Sequence, residues 1–228
     1  YVGNLFPEDE VDGLISSFNL VEKGGVVYFY GNEVGGEIFY IGEMTLSTLD
    51  VSIDSHVANG RVYENINVNN ANEIALIYRI GTSTNFGLEY YGNMNWSIEF
   101  PNTGIYRDLV MTDSKIIVGG MRLPGGGGKL MFVDYDGDII YENDSFYDSN
   151  NGLIDFENVE IWNGHILAVG RYSISPSSDG IILCFDIDGE EVWRLEKEVV
   201  NLKDDLFEVL VPNSNSSHFF LSGTTTSD

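Results

Sequence analysis

The amino-acid sequence predicts an all-β fold built from repeated four-stranded units. Short runs rich in Val, Ile, Tyr and Phe alternate with Gly, Asn, Asp and Ser, as strands alternate with turns. No long window shows the 3.6-residue period of a helix. Two sequence markers recur in a fixed order, at a step of about 48 residues. This combination is typical of a β-propeller with four-stranded antiparallel blades.

The first marker is an apolar run closed by glycine, which we interpret as the second strand, B, of each unit. It occurs at 26–31, 75–81, 116–120, 166–170 and 219–223. The second marker places an anchor residue three before a glycine and a large side chain four after it, in the hairpin between strands C and D. Its instances are Phe39/Gly42/Leu46, Glu89/Gly92/Trp96, Asp134/Gly137/Tyr141 and Asp186/Gly189/Trp193.

These markers predict a single domain over residues 1–228, with about four complete blades and partial ones at both ends. We expect blades at about 8–54, 60–101, 105–146 and 152–200, and a partial one at 204–228. Residues 2–7 align with 96–101, so we expect the chain to begin in a fourth strand, D. An open ring leaves an unpaired strand edge, which proteins avoid. We therefore expect a larger chain, or a partner segment that fills the gap.

An ordinary β-sandwich is the alternative fold, because it too has short strands and frequent turns. A sandwich gives no reason for two markers to keep one step along the chain. The periodicity therefore favours the propeller.

The charge composition narrows the possible partners. Eleven basic residues against 36 acidic ones give a formal net charge of −25, which argues against binding nucleic acid or an anionic membrane. No apolar run approaches the ~20 residues that cross a bilayer, so we expect no membrane insertion. Cys184 is the one cysteine, so neither an intrachain disulfide nor a multi-cysteine zinc site can form. An acidic surface suits an exported protein, and we expect an extracellular or cell-surface location.

Two Asp-rich segments are weak candidates for calcium binding. Asp134 and Asp136, like Asp186 and Asp188, precede a glycine in the hairpin between strands C and D. A full calcium loop supplies six or more oxygens, and both segments lack the third acidic ligand in register. We interpret them first as tight turns. Calcium is the one cofactor for which the sequence offers a candidate site.

A ligand is expected at the face formed by the connections from B to C and from D to A, because these loops surround the central channel. The candidate binding residues there are Asn85, Arg122, Asp148, Arg171 and Tyr172. Two of the six arginines follow strand B at nearly the same place. In an acidic protein they would attract a carboxylate or pair with nearby acids.

The run Ile181-Ile-Leu-Cys-Phe-Asp-Ile-Asp-Gly-Glu-Glu-Val-Trp193 resembles the repeat of quinoprotein-like, or PQQ-like, propellers. The whole unit is similar to repeats of secreted and surface propeller proteins of Bacteroidetes-type bacteria. The resemblance is weak over residues 1–70 and good over 105–228. The repeat's Asp and Trp match Asp186 and Trp193; the Trp becomes Tyr141 one unit earlier. Such residues pack blades, so the resemblance implies a fold and no quinone cofactor.

Three functions remain open at this point. The first is a non-catalytic binding or scaffold propeller that recognises protein or glycan at its loop face. The second is a propeller-fold polysaccharide hydrolase or lyase, which would need convergent acids with shifted pKa values. The third is a structural module of a larger assembly, completed by a partner strand. No catalytic residue is identified from the sequence.

Overall fold

The computed structural model describes residues 15–33, 37–82, 84–100, 104–147, 152–174, 177–197, 205–212 and 218–225. Over these ranges the chain forms strands and turns and no helix. Blade 1 contains β1 (Ile15–Lys23), β2 (Val26–Glu33), β3 (Ile38–Thr45) and β4 (Val51–Val57). Blade 2 contains β5 (Arg61–Val68), β6 (Ile74–Ile80), β7 (Phe86–Tyr91) and β8 (Trp96–Glu99).

The second half of the chain repeats this pattern. Blade 3 contains β9 (Gly104–Met111), β10 (Ile116–Arg122), β11 (Gly128–Val133) and β12 (Ile139–Phe146). Blade 4 contains β13 (Leu153–Trp162), β14 (His165–Ile174), β15 (Ser177–Phe185) and β16 (Glu191–Lys197). Two further strands, β17 (Asp205–Pro212) and β18 (Phe219–Thr225), pair with each other as the half-blade.

Every sheet is an antiparallel meander whose strands pair in sequence order. The first strand of each blade contacts the first strand of the next, in the series β1, β5, β9, β13 and β17. First strands therefore line the centre, and fourth strands lie on the outside. The predicted all-β propeller fold is confirmed.

The burial of each strand follows from its place in the blade. The middle strands of blade 3 are almost entirely buried, since neighbouring blades cover both their faces; β11 is buried at all its positions. The outer strand β12 is mostly exposed or partly buried. Two-sided burial explains why the middle strands are continuous apolar runs in the sequence.

The hydrophobic cores lie between blades. One core joins blades 1 and 2, a second joins blades 2 and 3, a third joins blades 3 and 4, and a smaller one joins blade 4 to the half-blade. Burial of apolar surface between sheets is the main force that holds the blades together.

The aromatic residue on strand D ties blade 2 to blade 3 and blade 3 to blade 4. The indole Nε1 of Trp96 donates to the carbonyl of Tyr135 in blade 3 at 2.9 Å. The Tyr141 hydroxyl donates to the carbonyl of Gly189 in blade 4 at 3.0 Å. The second marker therefore records a contact between blades, which is why it recurs.

The sequence markers were misplaced in the first two blades. Gly42 lies inside β3, and Leu46 lies in the turn that follows, so this marker is wrong as a turn in blade 1. Gly81 lies in the turn after β6, at φ +57°. In the pairing of strands A and B, the position of Gly120 and Gly170 is taken by Tyr78 in blade 2. Because Tyr78 stands where blades 3 and 4 have glycine, the sequence does not show how strands A and B of blade 2 pair. The predicted N-terminal strand at 2–7 lies outside the described residues.

Candidate functional site

A β-bulge recurs in the first strand of blades 2, 3 and 4. The pairing of strands A and B skips one residue of strand A in each blade, and these residues are Glu64, Arg107 and Glu157. A bulge leaves its extra residue out of the ladder and redirects the side chain. Three charged side chains therefore come from one position in three successive blades.

Close backbone approach opposite the bulge explains the glycines of strand B. A Cβ atom at Gly120 would lie 2.0 Å from the carbonyl oxygen of Ile105, and one at Gly170 would lie 1.9 Å from that of Asp155. A side chain at either position requires the strands to separate. Glycine thus avoids this clash opposite Arg107 and Glu157, whereas in blade 2 the same bulge forms opposite Tyr78.

Three arginines and three carboxylates form what we call the arginine–carboxylate cluster. Its members are Glu64, Arg79, Arg107, Asp155, Glu157 and Arg171, which contribute alternating charge from blades 2, 3 and 4. The formal charge of the cluster is zero, in a chain of net charge −25. Half of the six arginines of the chain are gathered here.

Asp155 is the central carboxylate of the cluster. Its Oδ2 accepts from Nη2 of Arg107 at 3.1 Å and from Nη2 of Arg171 at 3.5 Å. Nε of Arg107 lies 3.6 Å from a carboxylate oxygen of Glu157. The Asp155 side chain is only 6% exposed, whereas those of Arg107 and Arg171 are 35% and 42% exposed. The guanidinium groups are therefore more accessible than the carboxylate that holds them.

The blade 2 side of the cluster is a separate ion pair. Nε of Arg79 donates to Glu64 at 2.9 Å. These residues line a cavity of about 370 Å³ between blades 2 and 3, together with Thr84, Phe86, Ile105, Tyr106 and Arg107. Thr84 belongs to the connection between β6 and β7, so the cavity opens at the loop face expected to bind ligand. Its volume is at the small end of the range for ligand sites, ~300–1,000 Å³.

The electrostatics of the cluster keep its arginines charged. Burial pulls the pKa of Arg107 down, but Asp155, Glu157 and Glu64 outweigh it, so the pKa lies above its ordinary value. Burial raises the pKa of Glu157, and the charge of Asp155 raises it further; Arg107 and Arg171 oppose both effects only in part. The cluster therefore holds fixed donors beside a carboxyl that accepts a proton more readily than usual.

A buried polar ladder beside the cluster fixes the first strands relative to one another. Asp108 accepts hydrogen bonds from the side chains of Asn65 and Asn158 and from the Val159 amide, across three blades. Burial raises the pKa of Asp108 to about 7, although hydrogen bonds from the Val159 and Leu109 amides and from the Asn158 side chain lower it. These donors satisfy a carboxylate that no described ion pair neutralises, and they join blades 2, 3 and 4.

The structure separates the arginines and the tyrosine predicted from the sequence. Arg171 belongs to the cluster. Nε of Arg122 lies 3.7 Å from Asp144 on the outer strand β12, away from the cluster's ion pairs. Tyr172 is 5% exposed and packs in the core between blades 3 and 4, so its ring is not part of the cavity.

Asn85, another predicted loop residue, lies beside the cavity. Asn85 lies at the end of the connection between β6 and β7, and its carbonyl accepts from the Ile80 amide at 2.8 Å. This bond closes the turn beside the cavity. Asp148 lies outside the described residues.

The two Asp-rich segments form tight turns. Oδ1 of Asp134 accepts from the amides of Asp136 and Asp138 at 3.0 and 2.9 Å. Asp186 makes the same bonds to the amides of Asp188 and Glu190, at 3.0 and 2.9 Å. One oxygen of each anchor carboxylate is thus used by the turn itself. Among the described residues, no group of three or more His, Cys, Asp or Glu could hold a metal ion.

The sequence reasoning missed Glu64, Arg79, Arg107, Asp155 and Glu157 as site residues. A signal was present: an aromatic residue, a charged one and then Asn or Asp recur as 63–65, 106–108 and 156–158. This triplet is the bulge, since the aromatic packs inward, the charged residue leaves the ladder, and the third side chain joins the polar ladder.

A second cavity, of about 440 Å³, lies on the opposite face, between the turns of blades 2 and 3. Its polar side chains bond to one another: Asn69 donates to Glu73 at 2.6 Å and Asn70 to Asp113 at 2.9 Å. No arginine or lysine lines it. We therefore place the candidate site at the loop face.

No described segment is a helix of the length and apolarity that crossing a bilayer requires.

Comparison with known proteins shows the fold. No protein-family model and no curated protein matches the sequence. Among solved structures, the chain resembles a prolyl endopeptidase, with a TM-score of 0.53 and 11% identity, over 96% of this chain and 39% of that one. It also resembles prolyl oligopeptidase B from Galerina marginata, with a TM-score of 0.51 and 11% identity, over 92% and 38%. An endo-arabinanase of family GH43 from Bacillus licheniformis aligns over 94% of both chains, at 14% identity and a TM-score of 0.45.

The chain spans 39% and 38% of the length of the two peptidase structures. At 11% identity the similarity concerns backbone architecture, so what those proteins act on does not transfer. The likeness assigns the fold, a β-propeller, and not an activity.

Proposed function

We propose that the chain is a non-catalytic binding propeller that recognises a glycan at its loop face, in the arginine–carboxylate cluster. The observation that carries this proposal is that Glu64, Arg79 and Arg107 line a cavity of about 370 Å³. Ion pairs extend this charged lining from Arg107 to the other members of the cluster, so that side chains from three blades take part. A sugar presents many hydroxyl groups to such side chains, and planar guanidinium and carboxylate groups can each bond two of them.

A segment of a partner protein is the other ligand class compatible with a propeller loop face. The size of the cavity favours a single sugar unit over an extended protein surface, because specific protein interfaces bury at least ~1,000 Å². Binding to a protein is therefore an outcome of the test and not the proposal.

The hydrolase alternative rests on the two acids of β13. Asp155 and Glu157 are close in sequence, and the pKa of Glu157 is raised by burial and by Asp155. Hydrolysis of a glycoside needs two carboxylates that flank the scissile bond from separate positions. Here both come from one strand and Asp155 is held by two arginines, an arrangement better suited to binding.

The proposal is tested by applying labelled protein to an array of immobilised oligosaccharides, with peptides printed alongside. We expect wild type to bind a subset of the glycans and Arg107→Ala to lose at least about tenfold in affinity, which is ~1.4 kcal/mol. Arg194→Ala is the matched control, because Arg194 pairs with Glu191 and Glu196 on the outer strand β16. Release of reducing ends from a bound glycan would overturn the non-catalytic assignment. Absence of glycan binding, or binding by Arg107→Ala equal to that of wild type, would contradict the assignment of the cluster as a glycan-binding site.

We further propose an extracellular or cell-surface location, supported by the net charge of −25. The similarity of the whole repeat unit to those of secreted and surface propeller proteins supports the same proposal. Fractionation of the native source with an antibody to the chain tests it; a cytoplasmic signal would contradict it.

A further inference from the structure

We propose that the arginine–carboxylate cluster binds an uncharged, hydroxyl-rich unit of a glycan, and discriminates against acidic sugars and amino sugars. This inference rests on the proposed function and names the chemical class of its ligand. It follows from the charge balance of the site, from its unused hydrogen-bonding atoms, and from the field of the whole chain.

The first argument is the balance of donors and acceptors. The cluster presents three guanidinium groups, which only donate, and three carboxylates, which accept when ionised. A carboxylate on the ligand would suit the arginines and be repelled by the carboxylates. An ammonium group would meet the opposite conflict. A hydroxyl group both donates and accepts, so an array of hydroxyls satisfies both sets.

The second argument is a pair of atoms that the protein leaves unused. Oδ1 of Asp155 and Nε of Arg107 are buried and have no hydrogen-bond partner among the described residues, although Nε lies 3.6 Å from the Glu157 carboxylate. A buried polar atom without a partner is costly, by ~1–3 kcal/mol. One atom is an acceptor and the other a donor, which are the two roles that a hydroxyl group can fill.

Arg171 is the side chain that a ligand beside Asp155 can displace most readily. Arg171 contacts Asp155 at 3.5 Å and its side chain is 42% exposed, so it is more weakly held than Arg107, which contacts the same oxygen at 3.1 Å. The ligand would displace Arg171 toward solvent and take its place beside Asp155. Arg171 then closes over the bound sugar, where its guanidinium can donate to further hydroxyls.

The third argument is the long-range field. A chain of net charge −25 repels acidic glycans and attracts cationic ones such as amino sugars, so discrimination against amino sugars must come from the cluster itself. An uncharged ligand that binds a cluster of zero formal charge is neither strongly repelled nor strongly attracted by the net charge of the chain. Its affinity should therefore depend little on ionic strength.

The inference is tested by calorimetric titration with three oligosaccharide series of equal length: neutral hexose, uronic acid and amino sugar. We expect the neutral series to bind at least about tenfold more tightly than both charged series. Its affinity should change by less than about twofold between low and moderate salt, where exposed charges become screened. Arg107→Ala and Arg171→Ala should both weaken it, and Arg194→Ala should not.

The outcomes separate this inference from the proposed function. Tighter binding of the uronic acid or amino sugar series, still lost in Arg107→Ala, would overturn the inference and leave glycan binding at the cluster intact. Absence of binding by all three series would overturn the proposed function itself. Thermal melting of each variant, compared with wild type, shows whether a lost signal reflects loss of the fold.

Discussion

At the scale of single residues, Asp155 is the carboxylate on which the cluster depends. It is almost fully buried and accepts from two arginines. Neutralising a buried carboxylate that has charged donors costs more than breaking an exposed ion pair, because the charges left behind are poorly solvated. Arg107 and Arg171 are therefore joined through this one group.

We predict that Asp155→Asn lowers the free energy of unfolding by about 1–3 kcal/mol, because hydrogen bonds to a charged group are lost at a buried site. Urea unfolding measures the change. Glu191→Gln is the control: its carboxylate pairs with Arg194 on the outer strand, where exposed pairs contribute ~0–1 kcal/mol. Equal losses of stability in the two variants would contradict the claim that Asp155 contributes more than an exposed carboxylate.

Gly170→Ala tests the close approach opposite the bulge. The added Cβ would lie 1.9 Å from a backbone oxygen, so strands A and B must separate, and we expect a loss of at least about 2 kcal/mol. Gly164→Ala introduces strain at φ +76° but meets open space, and should cost about 1 kcal/mol. The two melting curves are compared directly; a smaller loss at Gly170 refutes the bulge argument.

Single residues of the site could be predicted from the sequence only in part. Arg171 was found because it follows the strand B glycine. Tyr172 was chosen beside it, yet successive strand residues face opposite sides, so one faces the site and the other the core. Arg79 was missed because Tyr78 occupies the glycine position in its blade.

At the scale of elements, the hairpins between strands C and D depend on one carboxylate each. Asp134 accepts from two backbone amides in the turn that joins β11 to β12, and Asp186 does so before β16. The composition of these segments predicted tight turns, and the structure confirms that assignment. Local chemistry of this kind can be read from sequence because it involves neighbours in the chain.

We predict that Asp186→Ala lowers the free energy of unfolding by about 1–2 kcal/mol, since two turn amides lose their acceptor. Denaturant unfolding provides the value. A ligand that binds the native state raises the melting temperature. Because we interpret these segments as turns and not as metal sites, Ca²⁺ at millimolar concentration should leave the melting temperature of wild type unchanged to within about 1 °C. A calcium-dependent rise that Asp186→Ala abolishes would instead establish a metal site.

The bulges of strand A could not be predicted from the sequence. A bulge shifts the register of one strand by a residue, and register between strands A and B is set by long-range pairing. The triplet 106–108 reads equally well as an unbroken strand. The fold class could therefore be predicted, whereas the residues of the site could not.

At the scale of the whole molecule, the buried carboxyl of Asp108 and the partly buried carboxyl of Glu160 make stability depend on pH. Burial raises the pKa of Asp108 to about 7; burial and the charge of Asp108 raise that of Glu160 to about 7. In the unfolded chain both ionise near their ordinary values of 3.8 and 4.5. Between these limits the native state binds more protons, so the free energy of unfolding falls as pH rises from about 4 to about 7 and then levels off.

Glu160→Gln removes one of these titrations. We expect wild type to be less stable at pH 8 than at pH 5, and the difference to be smaller in Glu160→Gln. Glu99→Gln, on the outer strand β8, removes one unit of charge from an exposed position and controls for the overall repulsion of an acidic chain. If urea unfolding gives both variants the same pH dependence, the Glu160 carboxyl does not cause the pH dependence of stability.

The global architecture was predictable because repetition multiplies a weak signal. One unit of strands and turns would fit several all-β folds, but markers that keep step across four units favour blades around one axis. Repeats also explain the failure in the first half of the chain: the anchor and aromatic positions of blade 1 are Phe39 and Leu46, and Leu46 lies in a turn.

The most direct test of glycan binding at the cluster is nuclear magnetic resonance of the arginine Nε–Hε groups, since the chain has only six arginines. On titration with a neutral oligosaccharide selected on the array, we predict shifts for Arg79, Arg107 and Arg171. The signals of Arg61, Arg122 and Arg194 should stay in place. Shifts confined to the latter three would contradict the account.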